Sequence, residues 1–97
     1  MKIPELFKNG RTVLSFEVFP PKKDADVSVI YDTLDQLGGL QPDFISVTYG
    51  AGGSAAGATT TELVRHIKEN LGTESIAHLT CVNSTHADID EKIKEFE

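Results

Sequence analysis

Asp43-Phe44-Ile45-Ser46-Val47-Thr48-Tyr49-Gly50 is a short run rich in β-branched and aromatic residues, and it predicts a strand. On its N-terminal side, Asp24 to Leu37 carries Val27, Ile30, Tyr31, Leu34 and Leu37 at helical spacing, with Gly38-Gly39 as a C-terminal stop. On its C-terminal side, a loop of small residues from Gly50 to Ala58 leads to Thr59, which with Glu62 three positions on reads as a capping box. The helix it opens places Leu63, Ile67 and Leu71 on one face, and Gly72 ends it. Further out, Thr12 to Phe19 is a second strand-like run, stopped by Pro20-Pro21, which cannot continue a sheet. Ser75 to Val82 is a third. Ser84 or Thr85 then caps a last helix with Ile89, Ile93 and Phe96 as its apolar face. The order is βαβαβα, an α/β chain of parallel strands joined by helical crossovers. No repeat, low-complexity tract or linker divides residues 1–97.

Three parallel strands cannot close on themselves, and an open sheet of three leaves two edges bare. The last helix also stops at Glu97 with neither cap nor breaker. The expectation is therefore the first part of a larger fold. A chain of this length buries only roughly 60–65% of its unfolded surface, so it is expected to be soluble alone only with difficulty.

Composition excludes several classes. Fifteen acidic against nine basic residues, a net charge of −6, argue against nucleic acid or an anionic membrane as partner. No apolar run approaches the ~20 residues of a membrane span. Met1-Lys2-Ile3-Pro4-Glu5-Leu6 lacks the apolar core of a signal peptide. The single cysteine, Cys81, cannot form an internal disulfide, which fits a reducing cytoplasm.

Alternation along the strands divides them into two faces. Leu14, Phe16 and Val18, then Ile45, Val47 and Tyr49, then Ala77, Leu79 and Cys81 form an apolar set that should pack on the helices. The other set is mixed: Val13, Ser15, Glu17 and Phe19; Phe44, Ser46 and Thr48; Ile76, His78 and Thr80. All-parallel sheets normally read apolar on both faces. Glu17, Thr48 and His78, read at one height near the strands' C-terminal ends, therefore point to a barrel lumen opening onto a site. A carboxylate flanked by Phe16, Val18 and Phe19 is costly to bury without a purpose or partner. The bland alternative is a set of satisfied interior polar residues.

Three motifs carry a resemblance. Ser15-Phe16-Glu17-Val18-Phe19-Pro20-Pro21-Lys22 resembles the Ser-Phe-Glu-Phe-Phe-Pro-Pro signature of methylenetetrahydrofolate reductases. Asp43 to Ala51 is similar to that family's second-strand motif, and Ala77-His78-Leu79-Thr80-Cys81-Val82 to its third. The resemblance implies the first three βα units of a (β/α)₈ TIM barrel, left incomplete. It implies a cytoplasmic flavoprotein that uses FAD and NADH or NADPH to reduce 5,10-methylenetetrahydrofolate to 5-methyltetrahydrofolate, a homo-oligomer at full length. By motif, Glu17 is the general acid, Thr48 lies where nicotinamide nucleotide and flavin meet, and Tyr49, Ala51 and His78 contact flavin. A Leu-Arg-Gly-Asp segment, much of the FAD site and most folate contacts would lie beyond this chain, so the chain alone is expected to be inactive. The acid's task requires a carboxyl group that still holds its proton near neutral pH, which enclosure by apolar side chains favours.

Other signals are weaker. Gly50-Ala51-Gly52-Gly53-Ser54-Ala55 spells G-x-G-x-x-A, but the dinucleotide fingerprint needs a helix opening at the glycines, and the capping box comes later. No acidic ribose-binding residue ends the third strand, and there is no P-loop. Family members often carry charge in this loop, where this chain has Ala55-Ala56-Gly57-Ala58, so charged cofactor contacts are not expected there. Lys22 and Lys23 read as a solvated pair, His66 and His86 as surface residues, and Cys81 as core packing. No His, Cys and carboxylate set has metal-ligand spacing. Two other readings stand beside the reductase: a non-catalytic remnant or barrel-completing interaction piece, and a different phosphate-cofactor barrel enzyme.

Overall fold

The computed structural model describes residues 2–20, 27–49, 56–81 and 84–97. A 3-10 turn at Ile3–Phe7 is followed by β1 (Ser15–Val18), α1 (Val27–Gly38), β2 (Phe44–Val47), α2 (Ala56–Asn70), β3 (Glu74–Ala77) and α3 (His86–Phe96). The strands form one parallel sheet in the order β1-β2-β3. Among the described residues no helix is long and apolar enough to cross a membrane.

Phe16, Val18, Ile45 and Val47 of the apolar set do face the helices. Ile45, Val47, Leu34, Leu63 and Ile67 are fully buried in one cluster with Val18, and Phe16, Ile30, Tyr31, Leu37, Val64 and Leu71 pack around it. The strands are four residues long rather than eight, because pairing stops where the chain leaves for each crossover. Leu14, one residue short of β1, stays 45% exposed.

Two helix boundaries differ from expectation. The left-handed residue after α1 is Gln41 (φ 55°), not a glycine. Gly38 instead provides room: a Cβ there would stand 3.1 Å from Leu71 Cδ2, so the bare backbone lets the end of α2 close onto the end of α1. Helix α2 begins at Ala56, so Thr59 is an interior helical position and Thr59–Glu62 does not cap the start. The small Ala56-Gly57-Ala58 segment winds into the first turn, since alanine is the best helix former. Gly72 (φ 65°) ends α2 as expected. At α3, Thr85 rather than Ser84 is the cap: its Oγ1 accepts from the Asp88 N–H (3.1 Å), and Asp88 Oδ2 accepts from the Thr85 N–H (2.9 Å). Helix α3 buries no residue and leaves Ile93 49% exposed.

Polar pairs outside the core tie elements together. Asp43, just before β2, accepts from Arg11 Nη2 at 2.6 Å and from the Leu14 N–H at 2.9 Å, joining the approach to β1 to β2. These two donors, Arg11 first, hold the Asp43 carboxyl below its usual range. A carboxyl lowered in the folded state stabilises above its unfolded value, near 3.8 here, and loses that contribution as pH falls through the lower folded value. The thermal midpoint should therefore drop more steeply below about pH 4 in the parent than in Asp43→Asn, the two curves converging in acid. Parallel curves across that window would contradict the linkage.

Candidate active site

His66 is not a solvated surface residue. Its Nε2 lies 3.1 Å from Asp35 Oδ1 on α1, its Nδ1 lies 3.0 Å from Asn70 Nδ2, and its ring meets Tyr31 edge-on at 4.8 Å. It is a clasp between α1 and α2 on the helix side of the sheet. A cavity of about 420 Å³ also opens on that side, between α2, β3 and the end of α3, lined by Arg65, Lys68, Glu69, Glu74 and Glu95 among others. Its charges are largely paired: Lys68 with Glu74 at 2.5 Å, and Glu95 with Lys92 at 2.9 Å. Neither feature includes Glu17, Ser46, Thr48 or His78.

On that face the register sets the geometry. Glu17 of β1 pairs with Ser46 of β2, which pairs with Ile76 of β3. The Thr48 N–H donates to the Val18 carbonyl and the His78 N–H to the Val47 carbonyl, both at 3.0 Å, so the ladder runs one residue past the strand ends. Thr48 and His78 are thus level with each other, while Glu17 sits one rung lower, two residues and roughly 6–7 Å down the strand. The expectation of three polar groups at one height is corrected by that rung. The reach of the glutamate closes the gap: Glu17 Oε1 lies 3.5 Å from His78 Nε2 and accepts from Ser46 Oγ at 3.3 Å.

Burial around Glu17 is also not as expected. Phe16 and Val18 point to the helices, Phe19 is 66% exposed, and the glutamate side chain is 51% exposed. The described residues therefore supply no apolar enclosure for the carboxyl group. What singles it out is the pair of polar partners on one oxygen.

Thr48 and Tyr49 are half-buried just beyond β2, and the Thr48 carbonyl accepts from Thr60 Oγ1 of α2 at 2.9 Å. Helix α2 thereby braces the C-terminal end of β2. Ala51 lies outside the described residues, as do Lys22, Lys23 and the glycines of the G-x-G-x-x-A run. Helix α2 starts at Ala56, ahead of the position the capping pattern proposed. Cys81 is exposed rather than packed in the core, because β3 ends at Ala77 and strand alternation no longer governs its facing. Two residues gain interest that the sequence did not signal. Ser46 touches Glu17 directly, and Thr80 Oγ1 is buried with no hydrogen-bond partner among the described residues.

A family model described as methylenetetrahydrofolate reductase matches residues 2–97. A rice protein named probable methylenetetrahydrofolate reductase (NADH) is 37% identical over 92 residues, covering 95% of this chain and 15% of its own length. The 5,10-methylenetetrahydrofolate reductase of Pectobacterium carotovorum is 36% identical over 87 residues (90% of this chain, 29% of the relative), and that of Escherichia coli 38% over 76 (78% and 25%). The chain thus spans less than a third of the length of these relatives. The match runs unbroken through all three strands and the glutamate-bearing face between them, and by it the chain belongs to the methylenetetrahydrofolate reductase family.

Proposed function

We propose that this chain contributes the first three βα units of a (β/α)₈-barrel flavoprotein that reduces 5,10-methylenetetrahydrofolate to 5-methyltetrahydrofolate. The observation that carries this reading is the Glu17 carboxyl group on the open face of the sheet, held by Ser46 and His78 at 3.3 and 3.5 Å. The parallel sheet in sequential order is the arrangement a barrel of this kind starts from.

The polar face suits a flavin. Hydroxyls and an imidazole, with no lysine or arginine among them in the described residues, suit a neutral heterocycle edged with hydrogen-bonding nitrogen and oxygen. The buried Thr80 hydroxyl, with no partner among the described residues, is a further opening for such a group. The residues fit. Thr48, Tyr49 and His78, with Ala51 by motif, would hold the flavin, which when bound supplies two-electron hydride chemistry. NADH is the first reductant to test, since the rice, maize and Arabidopsis relatives are named for it.

The chemistry assigned to Glu17 follows from the substrate. A methylene bridging two nitrogens is a poor hydride acceptor. A proton moved from the Glu17 carboxyl to one of those nitrogens breaks that nitrogen's bond to the methylene carbon. The carbon is left as an iminium with the other nitrogen, and hydride arriving there completes the methyl group. The elements that would cover Glu17 and supply the remaining folate contacts belong to the rest of the proposed barrel.

The test is anaerobic and has two halves. Protein containing this chain, loaded with FAD, should lose its flavin absorbance on mixing with NADH and regain it on mixing with 5,10-methylenetetrahydrofolate. A protein that takes up FAD and is bleached by NADH, yet is not reoxidised by the folate, would overturn the proposed substrate. One that takes up no flavin would overturn the flavoprotein reading altogether.

A further inference from the structure

We propose that Ser46 is a positioning residue for the general acid, fixing which oxygen of Glu17 carries the transferable proton; this rests on the role proposed for Glu17. Ser46 sits directly across β1–β2 from Glu17 in the parallel register. Its Oγ donates to Glu17 Oε1 at 3.3 Å, and it is only 8% exposed, whereas the glutamate side chain is 51% exposed. One partner is fixed and nearly dry, the other long and half in solvent. The bond therefore orders the glutamate more than it orders the serine.

The consequence is chemical. Ser46 Oγ and His78 Nε2 both approach Oε1. An oxygen that accepts from the serine hydroxyl is the carbonyl-type oxygen of the acid, so the proton resides on Oε2. Oε2 is then presented to the open face, where a substrate nitrogen can take the proton. After transfer the Ser46 hydroxyl faces a carboxylate and stabilises it, since hydrogen bonds to a charged acceptor are the stronger kind. A general acid must stay within hydrogen-bond reach of the atom it protonates, and a free glutamate with three side-chain torsions does so only part of the time. His78 also falls, by motif, at a flavin-contacting position, whereas Ser46 is the dedicated clamp.

The test uses the flavin-loaded protein containing this chain and reads the two half-reactions separately by stopped flow. Ser46→Ala removes the donor, Ser46→Cys keeps nearly the same volume with a much weaker donor, and Ser46→Thr retains a hydroxyl. Folate-dependent reoxidation at saturating folate should slow roughly ten-fold in the first two, the scale of one hydrogen bond to a charged group, and recover to within about three-fold of the parent in Ser46→Thr. Flavin content, reduction by NADH and the folate dissociation constant should stay at parent values in all three.

Parent-rate reoxidation in Ser46→Ala and Ser46→Cys would overturn the proposal. So would a parallel fall in both half-reactions, or a loss in Ser46→Thr as large as in Ser46→Ala, since either marks packing rather than donation. Glu17→Gln run alongside separates this inference from the reading beneath it. If Glu17→Gln abolishes folate reduction while Ser46→Ala spares it, only the clamp fails. If Glu17→Gln itself spares folate reduction, the acid role fails and takes the clamp with it.

Discussion

Replacing Glu17 with glutamine in the flavin-loaded protein is expected to leave flavin reduction by NADH at the parent rate and to slow folate reduction by about 10²–10⁴-fold, the usual contribution of a general acid. Glutamine matches glutamate in size and keeps a carbonyl oxygen that can accept from Ser46 Oγ, so the face need not rearrange. The side chain is half-exposed in the described structure, so the change carries little burial cost, and stability should move by no more than about 0.5 kcal/mol. What is lost is the transferable proton. Hydride passage from a nicotinamide to a flavin needs no proton from this carboxyl group, whereas opening the methylene bridge does, so the two half-reactions must respond differently. Unimpaired reoxidation by 5,10-methylenetetrahydrofolate would sink the assignment. A comparable loss in both halves would instead mean that the substitution had displaced the flavin.

The alternation of strands and helices was legible because each segment had a clear period: two in Phe16–Val18 and Ile45–Val47, close to 3.6 in Ile30, Leu34 and Leu37 and again in Leu63 and Ile67. Those residues are the ones that meet in the core. Boundaries were less legible. Glycine and alanine in Ala56-Gly57-Ala58 carry no period, so the capping pattern at Thr59–Glu62 was given too much weight. At Cys81 the period was extended past the point where pairing stops. His66 is not legible as a clasp because its partners lie on another helix: Asp35 and Tyr31 are more than thirty residues earlier in the chain, and no local pattern pairs them with it. The site divides the same way. Parity along a strand placed Glu17 opposite the core face, but parity says nothing about how far one strand is shifted against the next. The rung that sets Glu17 beside Ser46, and only the length of its side chain beside His78, is a property of pairing between strands. Serine in a strand is unremarkable by itself; it gains meaning only through the neighbour across from it.

Truncating Ile45 to alanine should destabilise the protein by about 2–5 kcal/mol, the range for removing a large buried aliphatic side chain. Ile45 is fully buried in β2, the central strand, and its cluster includes Val18 from β1, Leu34 from α1, and Leu63 and Ile67 from α2. Because β2 is paired on both sides, its backbone cannot sink to fill the gap, which places the cost toward the upper part of that range. Native proteins have a total stability of only roughly 5–15 kcal/mol, so a large share would go with one side chain. Ile93→Ala on α3 is the control: that residue is 49% exposed on a helix that buries nothing, and its truncation should cost well under about 1 kcal/mol. Urea unfolding of both variants decides the matter. The midpoint should fall sharply for Ile45→Ala at unchanged slope and barely move for Ile93→Ala, and equal midpoints would mean that the cluster around β2 is not the core. The same residue links stability to chemistry. Ile45 points to the helices and Ser46, next along β2, points to Glu17, so the packing that holds Ile45 in place is also what holds the serine's hydroxyl opposite the carboxyl group.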